Sequence, residues 1–182
     1  MEKELIQASS SCKRIVFVGP ECTGKTTLSQ ELSRIYSTQW VPEYMRLYLQ
    51  EKWDKYRKVC TWEDLLPIAK GQIALENELI TKANHYLFCD TCLLEIVIYS
   101  YIYYGKCEPV IESYAWEHHY DWVFLTYTDV PWQADDLRDK PFEREEIFIF
   151  FKDFLERKQI PFTILQGNVQ HRIQQINKKL KQ

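Results

Sequence analysis

Residues 19–26, Gly19-Pro20-Glu21-Cys22-Thr23-Gly24-Lys25-Thr26, set two glycines five apart in front of a lysine and a hydroxyl residue. A short β-branched run from Arg14 to Val18 precedes them, and Leu28, Leu32 and Ile35 recur at helical spacing behind them. Strand, glycine loop and helix therefore follow one another. In such a loop the backbone N–H groups of the turn and the helix start surround phosphate oxygens, Lys25 reaches the β- and γ-phosphates, and the Thr26 hydroxyl ligates magnesium. Thr27 completes the phosphate-facing segment, while Cys22 is a filler whose position suggests no role.

Further apolar runs at 39–41, 85–89, 122–126 and 161–165 alternate with segments long enough for crossover helices at 64–81, 93–103, 110–118, 144–158 and 169–180. That alternation predicts an α/β fold with a parallel sheet. Right-handed crossovers gather the loops after the strands on one edge, where ligands bind. Residues that carry chemistry are thus expected just after strands.

With 182 residues the chain fits a single domain, 1–182, in which 1–12 is expected as a flexible extension. A net charge of −3 provides no strongly basic surface, so nucleic acid is not an expected partner. No run reaches the ~18 apolar residues of a membrane span, and "MEKELIQASSSCKR" lacks the apolar core of a signal peptide, so the chain reads as cytoplasmic. The six cysteines are too scattered for a disulfide scaffold. Cys89-x-x-Cys92 has no second pair to complete a zinc site and reads as buried free thiols. His118 and His119, adjacent on a helix, are poorly placed to chelate together.

Three later segments carry candidate chemistry. Glu43 and Arg46 follow the second strand. A carboxylate there can take the proton of an acceptor hydroxyl and an arginine can orient acceptor or phosphate, although an i,i+3 ion pair between them is the alternative. Asp90 ends the third strand, where an acid beside the phosphate loop holds magnesium or, alternatively, caps the next helix. The polar stretch after the fourth strand contains Asp135, Asp136, Arg138 and Arg144, and can close over a triphosphate with its arginines stabilising charge. A GTPase would need N-K-x-D, whereas Asn177-Lys178 is followed by Lys179-Leu180.

In their order, "GPECTGKTTL", Glu43-Tyr44-Met45-Arg46-Leu47-Tyr48, Asp90-Thr91 and "PWQADDLR" at 131–138 resemble the ribosylnicotinamide kinase domain of the NadR type and the free-standing ATPase-like proteins related to it. The resemblance covers nearly the whole chain from Arg14. It implies a P-loop NTPase fold, three-layer α/β/α, with about five parallel strands in the order 2-3-1-4-5. It also implies ATP and Mg2+ as cofactors and phosphoryl transfer to the 5′-hydroxyl of nicotinamide riboside. In that picture Glu43 and Asp90 divide the base and metal roles without the sequence saying which takes which. Arg46 contacts acceptor or phosphate, Arg138 and Arg144 are lid arginines, and "QGNVQHR" at 166–172 approaches adenine.

Met45 stands where the family commonly has a small residue, and Asp136 where the lid usually carries glycine; either points toward another ribonucleoside acceptor. A regulatory nucleotide-binding ATPase with no small acceptor is the alternative of a different class. Oligomeric state stays open.

Overall fold

The computed structural model describes residues 2–138 and 140–181. Strands β1 (Lys13–Val18), β2 (Gln39–Val41), β3 (Tyr86–Asp90), β4 (Trp122–Thr126) and β5 (Thr163–Leu165) form one sheet in the order β2-β3-β1-β4-β5. Each neighbouring pair is parallel. This is the P-loop kinase topology that the motif order implied, and β1 at its centre places the glycine loop in the middle of the ligand edge.

Two apolar cores flank the sheet because successive strand residues point to opposite faces. Val16, Val18, Leu87, Cys89, Val123 and Leu125 join the larger core, whereas Ile15, Phe17, Phe88 and Phe124 join the smaller. Helices α1 (Lys25–Ile35) and α7 (Val169–Leu180) cover the smaller core with Leu28, Leu32 and Ile176. The larger core is covered by α3 (Leu65–Ile80), α4 (Leu93–Tyr104), α5 (Pro109–Glu117) and α6 (Arg144–Arg157). The buried stripe of α3 runs Leu65, Ile68, Ala69, Gln72, Ile73, Glu76 and Ile80, a helical period containing two polar residues. Both are satisfied: Gln72 by the backbone of residues 42 and 44, Glu76 by Arg14, Gln7 and Tyr120.

Two departures from sequence expectation stand out. A helix α2 (Tyr44–Tyr56) follows Glu43. It buries only Leu49, so its sequence carries almost no apolar stripe to announce it.

The second departure is a correction: within the segment 1–12, expected to be a flexible extension, residues 5–8 are docked on the body. Leu5 is fully buried, Ala8 N–H donates to Asn77 Oδ1 at 2.7 Å, Asn77 Nδ2 donates to the Ile6 carbonyl at 2.8 Å, and an Arg14 guanidinium N–H reaches the Ala8 carbonyl at 2.5 Å. The segment stays in place because its apolar residue enters the core and side chains of the body satisfy its backbone groups.

Cys89 and Cys92 are free, fully buried thiols. Burial pushes Cys92 up to about 12 and Cys89 well above its usual range, which suits core packing and not redox exchange.

Candidate active site

The glycine loop leaves β1 with Gly19 at φ 137°. A Cβ on Gly19 would lie 2.7 Å from Thr126 Oγ1 and 2.9 Å from the Thr126 carbonyl, so the residue is glycine by both conformation and contact with the end of β4. Gly24, at φ 86°, is the left-handed residue that turns the loop into α1. Thr23 stiffens the turn between them, donating to the Pro20 carbonyl at 2.7 Å and sharing a 2.6 Å hydrogen bond with Thr126. The first-turn amides of α1 lack intrahelical acceptors and face the loop, as an anion cradle requires.

Lys25 is only 8% exposed. Its ammonium donates to the Gly19 carbonyl at 2.6 Å and the Pro20 carbonyl at 3.0 Å, and lies 3.2 Å from Glu95 Oε1. The other Glu95 oxygen accepts the Gly19 N–H at 3.1 Å. Burial pushes the Lys25 ammonium down, but Glu95, Glu43 and Asp90 outweigh it and hold the group above its usual value.

Thr26 donates to Asp90 Oδ2 at 2.5 Å. Asp90 is 1% exposed, and its Oδ1 has no hydrogen-bond partner among the described residues. Burial, reinforced by Glu43 and opposed by Lys25, pushes this carboxyl up to about 7. Three carboxyl groups, Glu43, Asp90 and Glu95, therefore share the field of the one Lys25 ammonium, and the two buried ones are held toward their neutral forms. Among the described residues no group of three or more His, Cys, Asp or Glu side chains is arranged to hold a metal. A hydroxyl beside a carboxylate with one uncommitted buried oxygen nonetheless fits Mg2+, which takes few protein ligands and keeps water and phosphate for the rest.

Glu43 precedes α2, and neighbours in α3 fix its backbone. Gln72 Oε1 accepts the Tyr44 N–H at 2.8 Å, and Gln72 Nε2 lies 3.4 Å from the Pro42 carbonyl. The Tyr44 ring packs against Gly71, whose hypothetical Cβ would fall 2.0 Å from it. Met45 packs against the larger core.

Arg46 does not pair with Glu43. It crosses to Asp135 in the segment after β4, Nη1 to Oδ2 at 2.9 Å. Arg138 converges on the same carboxylate, with its backbone N–H at 3.1 Å from Oδ1 and its Nε at 3.2 Å from Oδ2. Arg144, first residue of α6, instead reaches the phosphate loop: it donates to the Cys22 carbonyl at 3.2 Å and to the Val130 and Thr128 carbonyls, and Trp132 covers it at 5.8 Å. Asp136 takes no left-handed φ, so the family's usual glycine is not required at this turn. Cys22, without a role in sequence, accepts the Gln133 N–H at 3.2 Å through its sulfur and so joins the loop to this segment.

Two buried residues play parts that the motifs did not assign: Glu95 lies outside all of them, and Arg172 ends the 166–172 segment expected near adenine. Glu95 is the lone carboxylate in the otherwise apolar first half of α4, and that isolation was the available signal. Arg172 of α7 is 2% exposed and donates to the Thr23 carbonyl at 2.5 Å, the Gly167 carbonyl at 2.9 Å and the Tyr127 carbonyl at 3.0 Å, while pairing with Asp129. It ties the phosphate loop to the turn after β5.

A family model described as an AAA domain matches residues 14–172. The chain belongs to the AAA domain family. This AAA domain is 27% identical over 153 residues to the trifunctional NAD biosynthesis/regulator protein NadR of Escherichia coli (strain K12), an alignment covering 83% of the chain and 37% of that relative. A crystal structure of NadR protein in complex with NR aligns with TM-score 0.73 at 19% identity, over 87% of the chain and 46% of NadR. NadR with NAD and AMP-PNP aligns at 0.72 and 18% identity, over 88% and 47%. Deoxyadenosine kinase from M. mycoides, with products dCMP and dCDP, aligns at 0.65 and 16% identity, over 92% and 98%. The AAA domain thus spans less than half the length of the NadR proteins it matches, and shares its fold with nucleoside kinases. Among the described residues no helix is long and apolar enough to cross a membrane.

Proposed function

We propose that this AAA domain transfers the γ-phosphoryl group of ATP to the 5′-hydroxyl of a ribonucleoside, with nicotinamide riboside as the acceptor. The observation that supports the reading is the contact of Asp90 with Thr26 beside Lys25, with Glu43, at the start of α2, close enough for its charge to act on both Lys25 and Asp90. A second carboxylate free of the metal can take a proton from an alcohol or from water, so it is the likeness to nucleoside kinases that favours a small acceptor over hydrolysis.

The two acids divide their work by environment. Asp90 is committed to Thr26 and is fully buried, which suits metal holding. Glu43 is half-buried and heads α2, which suits contact with an entering acceptor. Thr26 and Asp90 would hold Mg2+, which when bound neutralises charge on the β- and γ-phosphates. Glu43 takes the proton from the acceptor hydroxyl as its oxygen attacks the γ-phosphorus and the bond to the bridging oxygen breaks, ADP leaving with that electron pair. Lys25 and the amides of residues 22–27 hold the phosphates, and Arg46, Arg138 and Arg144 belong to a segment that excludes water during transfer. The likeness to NadR, solved with NR and with AMP-PNP, supports both the donor and the acceptor.

Purified protein given labelled ATP, Mg2+ and a panel of ribonucleosides is expected to phosphorylate nicotinamide riboside well above its acceptor-free ATP hydrolysis. ATP loss that is equal with and without every nucleoside overturns the kinase reading in favour of a regulatory ATPase. Glu43→Gln is expected to lose at least roughly a hundredfold in kcat with little change in ATP affinity.

A further inference from the structure

An ammonium group has three N–H donors. In this protein all three have acceptors, the carbonyls of Gly19 and Pro20 and the carboxylate of Glu95. Lys25 must therefore give up at least one of them to engage a phosphate oxygen, and the charged one is Glu95. We propose that Glu95 is a positioning residue that competes with the nucleotide for Lys25, holding the ammonium against the loop until phosphate oxygens replace it and its carboxyl takes a proton from solvent.

Three observations support this. Glu95 is 4% exposed and grips the same loop twice, through Lys25 and through the Gly19 N–H, so its charge acts on the cradle itself. The groups facing it are Lys25 of α1, Glu43 ahead of α2 and Asp90 at the end of β3, with the Tyr99 hydroxyl one turn along α4 also in its field and buried without a partner among the described residues. One ammonium thus faces three carboxyl groups. Burial pushes Glu95 up to about 8, with Lys25 opposing and Glu43 and Asp90 adding to the rise. A polyphosphate entering this field adds negative charge and draws Lys25 away, and both effects favour the neutral carboxyl. Binding and proton uptake are then linked.

The inference rests on the phosphate-cradle part of the proposed function, but its test needs no acceptor. Calorimetric binding of a non-hydrolysable ATP analogue with Mg2+ is measured at pH 8 to 9, where the γ-phosphate is already ionised, in two buffers of different ionisation enthalpy. The wild-type protein is expected to take up about half a proton per analogue bound near pH 8 and to bind more weakly as pH rises. Glu95→Gln keeps the side chain's shape, and is expected to bind the analogue about five- to tenfold more tightly at pH 9 with no proton uptake assigned to this site. A wild-type protein that takes up no proton overturns the proposal without any variant. So does a Glu95→Gln protein that binds more weakly with a lowered melting temperature, because Glu95 is then a strut of the loop. Failure to phosphorylate any nucleoside leaves these binding results standing and sinks only the acceptor assignment.

Discussion

The Thr26 hydroxyl donates to Asp90 Oδ2 at 2.5 Å, leaving Oδ1 of the same carboxylate buried without a partner among the described residues. A half-satisfied buried carboxylate is costly unless a cation completes it. Asp90→Asn keeps an acceptor for Thr26 and removes the charge. Its affinity for an ATP analogue in Mg2+ is expected to fall roughly tenfold or more, with metal-free affinity unchanged or improved. If Mg2+ strengthens binding to the variant as much as to the wild type, Asp90 is not the metal ligand.

Gly71 is glycine because the Tyr44 ring occupies the space of its side chain. Gly71→Ala is expected to cost about 1–3 kcal/mol of stability by overpacking and to lower kcat by displacing Glu43, the residue before Tyr44. Denaturant unfolding of Gly71→Ala and of the double variant Gly71→Ala/Tyr44→Leu checks this. The smaller side chain at position 44 should recover part of the lost stability, and an unperturbed single variant would show that the ring does not lie on α3.

Asp135 holds both Arg46 and Arg138, joining α2 to the segment after β4. These groups are partly exposed, so Asp135→Ala is expected to change stability by no more than about 1 kcal/mol. Limited trypsin digestion reads the effect more directly: cleavage after Arg138 should accelerate in the variant. An unchanged digestion rate would mean that other contacts hold the segment.

Asp90 and Glu95 make stability depend on pH with a definite sign. Their folded values of about 7 and about 8 lie above the ordinary 3.8 and 4.5. The stability gained by keeping them neutral is fully present below about pH 4 and is lost as pH rises through 7 to 8. In buffer without nucleotide or metal, the melting temperature is expected to fall between pH 6 and 9. Glu95→Gln should fall less steeply. A midpoint that stays level or rises over that range contradicts the crowding of buried acids around Lys25.

Much of this was readable because it is local. Gly19, Gly24, Lys25 and Thr26 announce a cradle through backbone conformation and spacing alone, and the apolar runs announce strands by β-branched character and length. Glu43 and Asp90 were singled out by their place after strands, which parallel topology turns into a shared edge. Most of what escaped had no local mark, Glu95 with its isolation in an apolar helix excepted. Helix α2 carries almost no apolar stripe, and the partner of Arg46 lies 89 residues away in a segment that reads only as polar.

The sequence alone determined the alternation of strands and most of the helices and which residue types follow the strands, because hydrophobic period, turn chemistry and motif spacing act over a few residues at a time, while the strand order came from the resemblance to the kinase family. Only the tertiary structure decided which charges meet. Glu95 reaches Gly19 across 76 residues and Arg172 reaches Thr23 across 149. Such pairings depend on how α4 and α7 pack against the sheet, and in a buried site it is the local field of neighbouring charges, not residue identity, that sets what Lys25 and Asp90 can do.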